Sequence, residues 1–279
     1  MKKRKLKIKN ILLLLLIIVF IFSVSNIASF YYDIYKSKDN NNKLINEAVT
    51  IIDDKEEIIV EPVEPEDNEE TKLDKEDTTE VIDEPLVLDK ISVDFNKLYE
   101  TNSDTVGWIL YNNKKINNPI VHTTDNHYYL KHSFNKEINS GGAIFMDYRN
   151  SSFDDKNVVL FGHANSAMFG SLSNLFSDGY FNKKKNNYIQ IVNSNNEMLI
   201  YQVFSYYITD VEEYYITTNF KDNNDFYKFV YKLARRSYKT FNVYIRPTDK
   251  ILTLSTCHGT GRTQKRRVVH AVRVKLENY

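Results

Sequence analysis

The single cysteine of this chain, Cys257, closes an apolar run and is a candidate nucleophile. The run reads KILTLSTC over residues 250–257, and a polar loop with two glycines follows it. Positive charge favours the thiolate, the nucleophilic form of the side chain, and the nearby basic residues are Arg262, Lys265, Arg266 and Arg267. The alternative is an inert buried thiol, because an unpaired cysteine often behaves as a small apolar side chain.

His163 is the histidine best placed to assist a nucleophile. It ends the apolar run NVVLFGH and precedes a loop, so its imidazole is able to face a thiol on another strand. A purely structural histidine is the alternative. His258 follows Cys257 directly and would point to the other face of a strand, while His270 lies within an apolar run that favours burial. The spacing of the other three suits no helical metal pair and indicates loop positions: His122, His127 and His132.

An arginine would complete the set, because a thiolate that attacks an amide needs a donor for the oxyanion. Arg266 and Arg267 are adjacent, and the alternation of a strand puts them on opposite faces. The row of Arg266 continues through valines, whereas the row of Arg267 contains Arg273 and Lys275. We therefore expect Arg266 to lie on the inward face, at the rim of the fold, and Arg267 to face solvent.

The elements that must position these residues are mostly strands. Short apolar runs between turn-rich stretches predict eight strands in residues 90–279. Eight strands in this length suggest a mainly β fold, either a single closed barrel or a sandwich. The runs lie at residues 105–111, 119–124, 141–148, 157–163, 188–194, 198–211, 250–257 and 266–276.

Two helices are predicted among these strands. Residues 91–100 place Ile91, Phe95 and Leu98 on one side of a short helix. Residues 223–239 carry apolar side chains at helical spacing, and Asn or Asp is available as the N-terminal cap. We expect the second helix to interrupt the strand series.

The formal charge of zero hides three unlike segments. Residues 1–43 carry nine basic and two acidic residues, residues 44–89 carry three and eighteen, and residues 90–279 carry twenty-five and seventeen. The composition is otherwise ordinary, with 42% hydrophobic and 27% charged residues. It excludes a collagen, a disulfide scaffold and a wholly disordered chain.

The N-terminus has the pattern of a membrane anchor. Residues 1–9 carry six Lys or Arg, and residues 10–32 carry no charge. As a helix the uncharged stretch is about 34 Å long, enough to span a bilayer. The basic flank predicts a cytoplasmic tail over residues 1–9, an anchor over residues 10–32 and an extracellular location for the rest. A cleaved signal peptide is the alternative.

The segment after the anchor is acidic and poor in apolar residues. Its centre reads EPVEPEDNEETKLDKEDTTE. A segment of this composition buries too little apolar surface to offset the conformational entropy lost when it becomes ordered. We expect residues 33–89 to form a disordered extracellular linker. Capture of calcium or of a partner by the acids is the alternative.

Two segments together resemble the signature of the sortases, the membrane-anchored cysteine transpeptidases of Gram-positive bacteria. One is LTLSTC at Leu252–Cys257, with Arg266 nine residues later and a pair of valines behind it. The other is FGHAN at Phe161–Asn165, followed by MFGSL. The runs NHYYL at 126–130 and GAIFMDYRN at 142–150 resemble class B in particular, as does the helical insertion before the LTLSTC strand. The resemblance covers residues 90–279. Family members commonly have one arginine before the pair of apolar residues, whereas this chain has two, Arg266 and Arg267.

This resemblance implies a fold and a mechanism. The fold would be a closed eight-stranded sortase-type β-barrel, with His163, Cys257 and Arg266 converging at one end. Cys257 would attack the threonine carbonyl of a C-terminal sorting motif in a secreted protein and form a thioacyl enzyme. Arg266 would stabilise the oxyanion, and His163 would act as acid and then as base. An amine of a peptidoglycan cross-bridge, or of its lipid-linked precursor, would complete the transfer.

The resemblance also implies partners. Sorting motifs of the NPQTN or SPKTG type are expected, and the peptide groove would be lined by Asn126, Leu130, Ser255 and His258. We expect no cofactor and no metal. Some other sortases bind calcium, and the acidic residues that suggest such a site here are Glu212, Glu213 and those of the acidic segment.

Three other functions remain open at this point. One is a different sortase role, either pilus polymerisation or that of class D. Another is a catalytically inactive, membrane-tethered binding module on the same barrel, which an intact Cys-His-Arg set argues against. The third is nucleic-acid binding, but the basic residues of the domain are scattered and form no stripe.

Overall fold

The computed structural model describes residues 8–52, 86, 88–111, 113–211, 214–257 and 264–274. A long N-terminal helix, α1 (Ile8–Ala48), leads into a closed β-barrel. A small sheet made of β1 (Val49–Ile52) and β2 (Lys90–Val93) lies between helix and barrel in the chain order.

The helix α1 has two unlike parts. Among the described residues it is the one helix that is long and apolar enough to cross a membrane, and no residue of its most apolar stretch is buried. Beyond that stretch the helix packs on the barrel. Leu44 and Ala48 are buried in a cluster that includes Trp108 and Val121 of the barrel.

The structure of residues 33–52 differs from the linker expected there. The chain continues as helix to Ala48 and then forms β1, which pairs with β2 from Val49↔Val93 to Ile52↔Lys90. Burial of apolar side chains against the barrel supplies the free energy that the local composition lacks. Most of the acidic segment, residues 53–85 and 87, lies outside the described residues.

Helix α2 (Phe95–Thr101) is shorter than predicted. The Asp94 carboxylate caps it and accepts the backbone N–H groups of Asn96 and Lys97. The predicted start at residue 91 was wrong because Ile91 pairs with β1 in a strand. The apolar periodicity there reflects burial of Ile91 and Phe95 in one cluster and not a single helix.

Eight strands form the barrel in the order β10-β8-β7-β3-β4-β5-β6-β9, and the β9–β10 pair closes it. The predicted closed eight-stranded β-barrel is therefore confirmed, and a sandwich is excluded. The β4–β5 and β6–β9 pairs are parallel. The strands are β3 (Thr105–Tyr111), β4 (Ile116–His122), β5 (Ile144–Met146), β6 (Asn157–Phe161), β7 (Tyr188–Asn193), β8 (Met198–Asp210), β9 (Ile251–Cys257) and β10 (Lys265–Arg273).

The connection between β8 and β9 carries helix α3 (Asn223–Ala234). Asp222 caps it by accepting the N–H of Asp225, and the helix ends five residues before the predicted residue 239. Phe226, Val230 and Leu233 pack against the outer face of β8, β9 and β10. These three strands are thus buried on both faces. Four short 3-10 helices lie in other connections, at Tyr128–Leu130, Phe169–Phe176, Tyr180–Asn182 and Lys184–Asn187.

Candidate active site

Three adjacent strands bring the predicted site residues to one end of the barrel. β6 and β9 run parallel with Phe161 opposite Ser255, so both strands end at the same side. β10 runs antiparallel to β9 with Arg266 opposite Cys257, so it begins there. We call this side the His163 end. Residues that are far apart in sequence therefore reach the same end of the barrel through the strand register.

His163 lies two residues beyond β6, and the chain there still follows β9. The Gly162 N–H donates to the Ser255 carbonyl at 3.3 Å. The half-buried imidazole places Nε2 2.8 Å from the carbonyl oxygen of Leu130. A carbonyl oxygen only accepts, so Nε2 carries the proton in this contact. Nδ1 is then the ring nitrogen that is left to exchange a proton with a bound group.

Close packing fixes the orientation of the imidazole. Gly142 has φ +71°, and a Cβ at this position would lie 2.8 Å from Cδ2 of His163 and 2.7 Å from the Tyr129 carbonyl oxygen. Only glycine combines this backbone conformation with so close an approach. The sequence GG at 141–142 therefore has a direct role in shaping the surroundings of His163.

The strand pairing separates the two candidate arginines. Arg266 is the cross-strand partner of Cys257, and Arg267 is the partner of the buried Thr256. Arg266 is half-buried, and its Nη1 donates to the Lys265 carbonyl at 3.1 Å. Burial lowers the pKa of Arg267, which is half-buried and does not have the solvent-facing position that was predicted.

The side on which the Arg266 row lies was predicted wrongly. Val269 and Ala271, from the row of Arg267, belong to the cluster inside the barrel. Val268 and Val272, from the row of Arg266, pack under α3 on the outer face. Both rows are apolar because α3 covers the outer face, so hydrophobicity does not distinguish inside from outside. The arginine opposite Cys257 is nevertheless Arg266.

The predicted peptide-contacting residues have different surroundings. Leu130 contacts His163 through its carbonyl, and Asn126 Oδ1 accepts the Tyr148 N–H at 3.0 Å, in the loop after β5. Ser255 is buried, and its hydroxyl lies 2.8 Å from that of Tyr215. His258 and Arg262 lie outside the described residues, as do Glu212 and Glu213.

An ion pair holds the segment after β8 close to the loop after β5. The Arg149 guanidinium makes two bonds of 2.8 and 2.7 Å to the buried Asp147 carboxylate and also donates to the Tyr214 hydroxyl and the Ile216 carbonyl. Burial raises the pKa of Asp147, but bonds from Arg149 outweigh it and hold that pKa below its ordinary value. The clamp positions Tyr215 over Ser255.

Arg149 and Tyr215 were missing from the predicted site. Arg149 stands within a quoted motif, but its partners Tyr214 and Ile216 are 65 and 67 positions away. Nothing in the local pattern distinguishes it from a surface arginine.

The described residues offer no cluster of three or more His, Cys, Asp or Glu side chains that is able to hold a metal ion. Lys265 pairs with Asp210 at 3.5 Å, and both side chains are more than half exposed, so this pair has little effect on the site. Arg266 is the half-buried cation opposite Cys257.

Comparisons with known proteins agree with this arrangement. A family model described as "Sortase domain" matches residues 112–274. The chain is 34% identical over 175 residues to sortase B of Listeria monocytogenes, covering 62% of this chain and 70% of the relative. It is also 34% identical over 188 residues to sortase B of Staphylococcus aureus, covering 65% and 75%.

A solved structure gives the same result for the fold. The X-ray structure of Clostridium perfringens sortase B aligns with a TM-score of 0.61 at 30% identity, over 65% of this chain and 100% of that one. The family model covers more than half of the chain, and each of these named relatives is a sortase B. The chain therefore belongs to the sortase family of cysteine transpeptidases, in class B.

Proposed function

We propose that this sortase cleaves a C-terminal sorting motif after its threonine, with Cys257 as nucleophile, His163 as acid and base, and Arg266 as oxyanion donor. The observation that carries the proposal is the β6–β9–β10 ladder. It sets Arg266 opposite Cys257 and extends β6 toward His163 alongside the same stretch of β9. No two of these residues are closer than nine positions in sequence.

The first half-reaction forms a thioacyl enzyme. The Cys257 thiolate attacks the threonine carbonyl carbon, a C–S bond forms, and the carbonyl oxygen becomes an oxyanion. Arg266 donates hydrogen bonds to this oxygen. When the intermediate collapses, the peptide C–N bond breaks, and the leaving nitrogen takes a proton from His163, which acts as the imidazolium and becomes neutral.

The second half-reaction transfers the acyl group. An amine of the peptidoglycan cross-bridge, or of its lipid-linked precursor, attacks the thioester carbon. His163 accepts the amine proton, the new amide bond forms, and the C–S bond breaks to restore the thiolate. The product is a surface protein that is amide-linked to the cell wall.

Arg266 is favoured over Arg267 by the register. Side chains of directly paired residues in an antiparallel ladder project to the same face of the sheet. Arg266 is paired with Cys257, whereas the partner of Arg267 is Thr256. The row of Arg267 faces the interior of the barrel, which a peptide does not enter.

The peptide groove is proposed to lie on the same outer face. Leu130 and Asn126 belong to the loop that holds His163. Ser255 is two positions before Cys257 on β9, beneath Tyr215. We retain these residues and His258 as peptide contacts, and motifs of the NPQTN or SPKTG type as substrates.

The cellular arrangement is also a proposal. The apolar stretch of α1 is consistent with membrane anchoring. The six basic residues among residues 1–9 favour a cytoplasmic N-terminus and an extracellular barrel. This location gives the enzyme access to secreted proteins and to cell-wall amines.

Peptide cleavage tests the proposal. The full-length chain in detergent is incubated with fluorogenic peptides of the NPQTN, SPKTG and LPXTG types, and adducts are followed by mass spectrometry. We expect at least one peptide to be cleaved by the wild type and none by Cys257→Ala. Absence of both cleavage and a thioacyl adduct in the wild type would refute the enzymatic role.

A matched pair of variants tests the arginine assignment. Arg266→Ala should lower kcat/KM by about 10²–10³-fold, the usual cost of one lost oxyanion donor. Arg267→Ala is the control, with the same charge change one residue away, and should retain most activity. The opposite ranking would transfer the role to Arg267.

A further inference from the structure

Helix α1 joins the apolar stretch rigidly to the barrel. The uncharged stretch ends at Tyr32, and the helix continues without a break to Ala48. Beyond Tyr32, Ser37 Oγ donates to Asn139 Oδ1 at 3.1 Å, and Asn41 Nδ2 donates to the Asn117 carbonyl at 2.8 Å. The end of the proposed membrane span therefore has a defined position relative to the barrel.

Asp33, the first charged residue after this stretch, binds the barrel directly. The Asp33 carboxylate accepts both the N–H and the hydroxyl of Ser140, at 3.0 and 2.8 Å. Its carbonyl accepts Asn139 Nδ2 at 3.1 Å. Lys36 pairs with Glu137 at 2.8 Å. The loop 137–141 consequently lies at the level where α1 becomes polar.

The same loop contacts the site. The Gly141 carbonyl accepts Asn165 Nδ2 at 3.0 Å, and Gly142 packs against the His163 ring. Ser140 and Gly142 are two residues apart, at most about 7.6 Å between Cα atoms. Only a short loop segment therefore separates Asp33 from the surroundings of His163.

The course of α1 shows which end of the barrel faces the apolar stretch. Asp33 and Ser37 contact the loop before β5, which is at the His163 end. Asn41, about 12 Å further along the helix, reaches the beginning of β4, which is still at the His163 end because β4 runs parallel to β5. The Ala48 carbonyl accepts the N–H of Asp94, and the neighbouring Val93 donates its N–H to Asn196 in the β7–β8 turn, at the opposite end of the barrel. The helix thus passes the His163 end first and then runs away from it.

An exposed apolar side chain occupies this loop. Ile138 is 87% exposed, next to Glu137, which pairs with α1. A large apolar side chain with so much exposed surface has no stabilising role within the barrel. Tyr31, Tyr32 and Tyr35 are also more than 60% exposed at the same level of α1. Isoleucine and tyrosines at this level suit the interfacial layer of a bilayer.

We infer that the His163 end of the barrel rests on the membrane that holds α1, and that Ile138 inserts into the lipid interface. The partner is the bilayer surface, and the contact consists of Ile138 with the tyrosines of α1. This inference rests on the proposed membrane anchoring. It requires neither the proposed motif nor the proposed roles of Cys257 and Arg266.

Lipid-dependent quenching tests this arrangement in the full-length chain. Ile138→Cys and Asn195→Cys are each made together with Cys257→Ser, labelled with an environment-sensitive fluorophore and reconstituted in phosphatidylglycerol–phosphatidylethanolamine vesicles. Asn195 is the matched control, because it is exposed in the β7–β8 turn at the opposite end of the barrel. A nitroxide on the lipid headgroups is the quencher.

We expect blue-shifted and quenched emission from the label at residue 138, and unshifted, unquenched emission from residue 195. Equal emission from both sites, or quenching at residue 195 alone, would overturn the inference. The measurement involves no catalysis. Peptide cleavage without quenching at 138 would refute only the membrane contact, and quenching without peptide cleavage would refute only the proposed function.

Discussion

Lowering the pH from 7.5 to 5.0 should destabilise the barrel through His270. The imidazole is fully buried on β10. The Tyr207 hydroxyl lies 2.9 Å from Nε2, and Thr253 Oγ1 lies 2.9 Å from Nδ1. Thr253 donates its own hydrogen to Asn157 Oδ1, so it accepts from Nδ1. These bonds satisfy a neutral ring that accepts through Nε2.

The size of this loss of stability follows from the pKa of His270. Burial, aided by the charge of Arg236, lowers the pKa of His270 to about 3, whereas the unfolded chain has about 6.5. The unfolded state therefore binds more protons between these values, and stability falls as the pH falls through 6.5. At pH 5.0 the loss amounts to about 2 kcal/mol relative to pH 7.5.

The assay is urea unfolding of the full-length chain in detergent at both pH values, for the wild type and His270→Gln. The variant removes the titrating group, so its loss of stability between the two pH values should be about 2 kcal/mol smaller. NMR of the wild-type ring is a second measurement, which does not depend on the variant folding. An unchanged loss in the variant, or a ring that titrates near pH 6.5, would refute the reasoning.

Two further predictions concern residues around the site. Gly142→Ala should strongly reduce peptide cleavage, because the added Cβ would displace His163. Gly179→Ala is the control and should remain active, because Gly179 has the same φ of +71° but its Cβ would make no contact under 3.4 Å. Equal activity of the two variants in a cleavage assay would contradict the proposed effect on His163. Arg149→Ala should lower the free energy of unfolding by about 3 kcal/mol, since it leaves the buried Asp147 carboxylate unpaired. Adding Asp147→Asn should recover part of that loss in urea unfolding, and no recovery would show that the charge pair is not the cause.

The strands of the barrel could be predicted because each is a short apolar run between turns. Closure of the barrel was predicted only through the family resemblance, because no local pattern shows that β6 pairs in parallel with β9, nearly a hundred positions away. The same limit applies to residues 33–52. Their composition is that of a linker, and distant contacts make them ordered, among them the burial of Leu44 and Ala48 and the hydrogen bonds of Asp33.

The residues of the site also differ in whether the local sequence pattern identifies them. Cys257 and His163 stand at the ends of apolar runs, a local feature. Alternation separated Arg266 from Arg267, but it assigned the wrong side because α3 buries the outer face as well. Contacts made by Arg149 and Tyr215 depend on how the segment after β8 folds back, which no local pattern encodes.

The pairing of β1 with β2 changes the topological role of the acidic segment. Ile52 and Lys90 are paired neighbours, so the segment between them starts and ends on the same small sheet. Changing the length of such a loop alters its closure entropy only slowly. A protease cut within it would leave two fragments held together by β-pairing and helix packing, and the barrel would stay attached to α1.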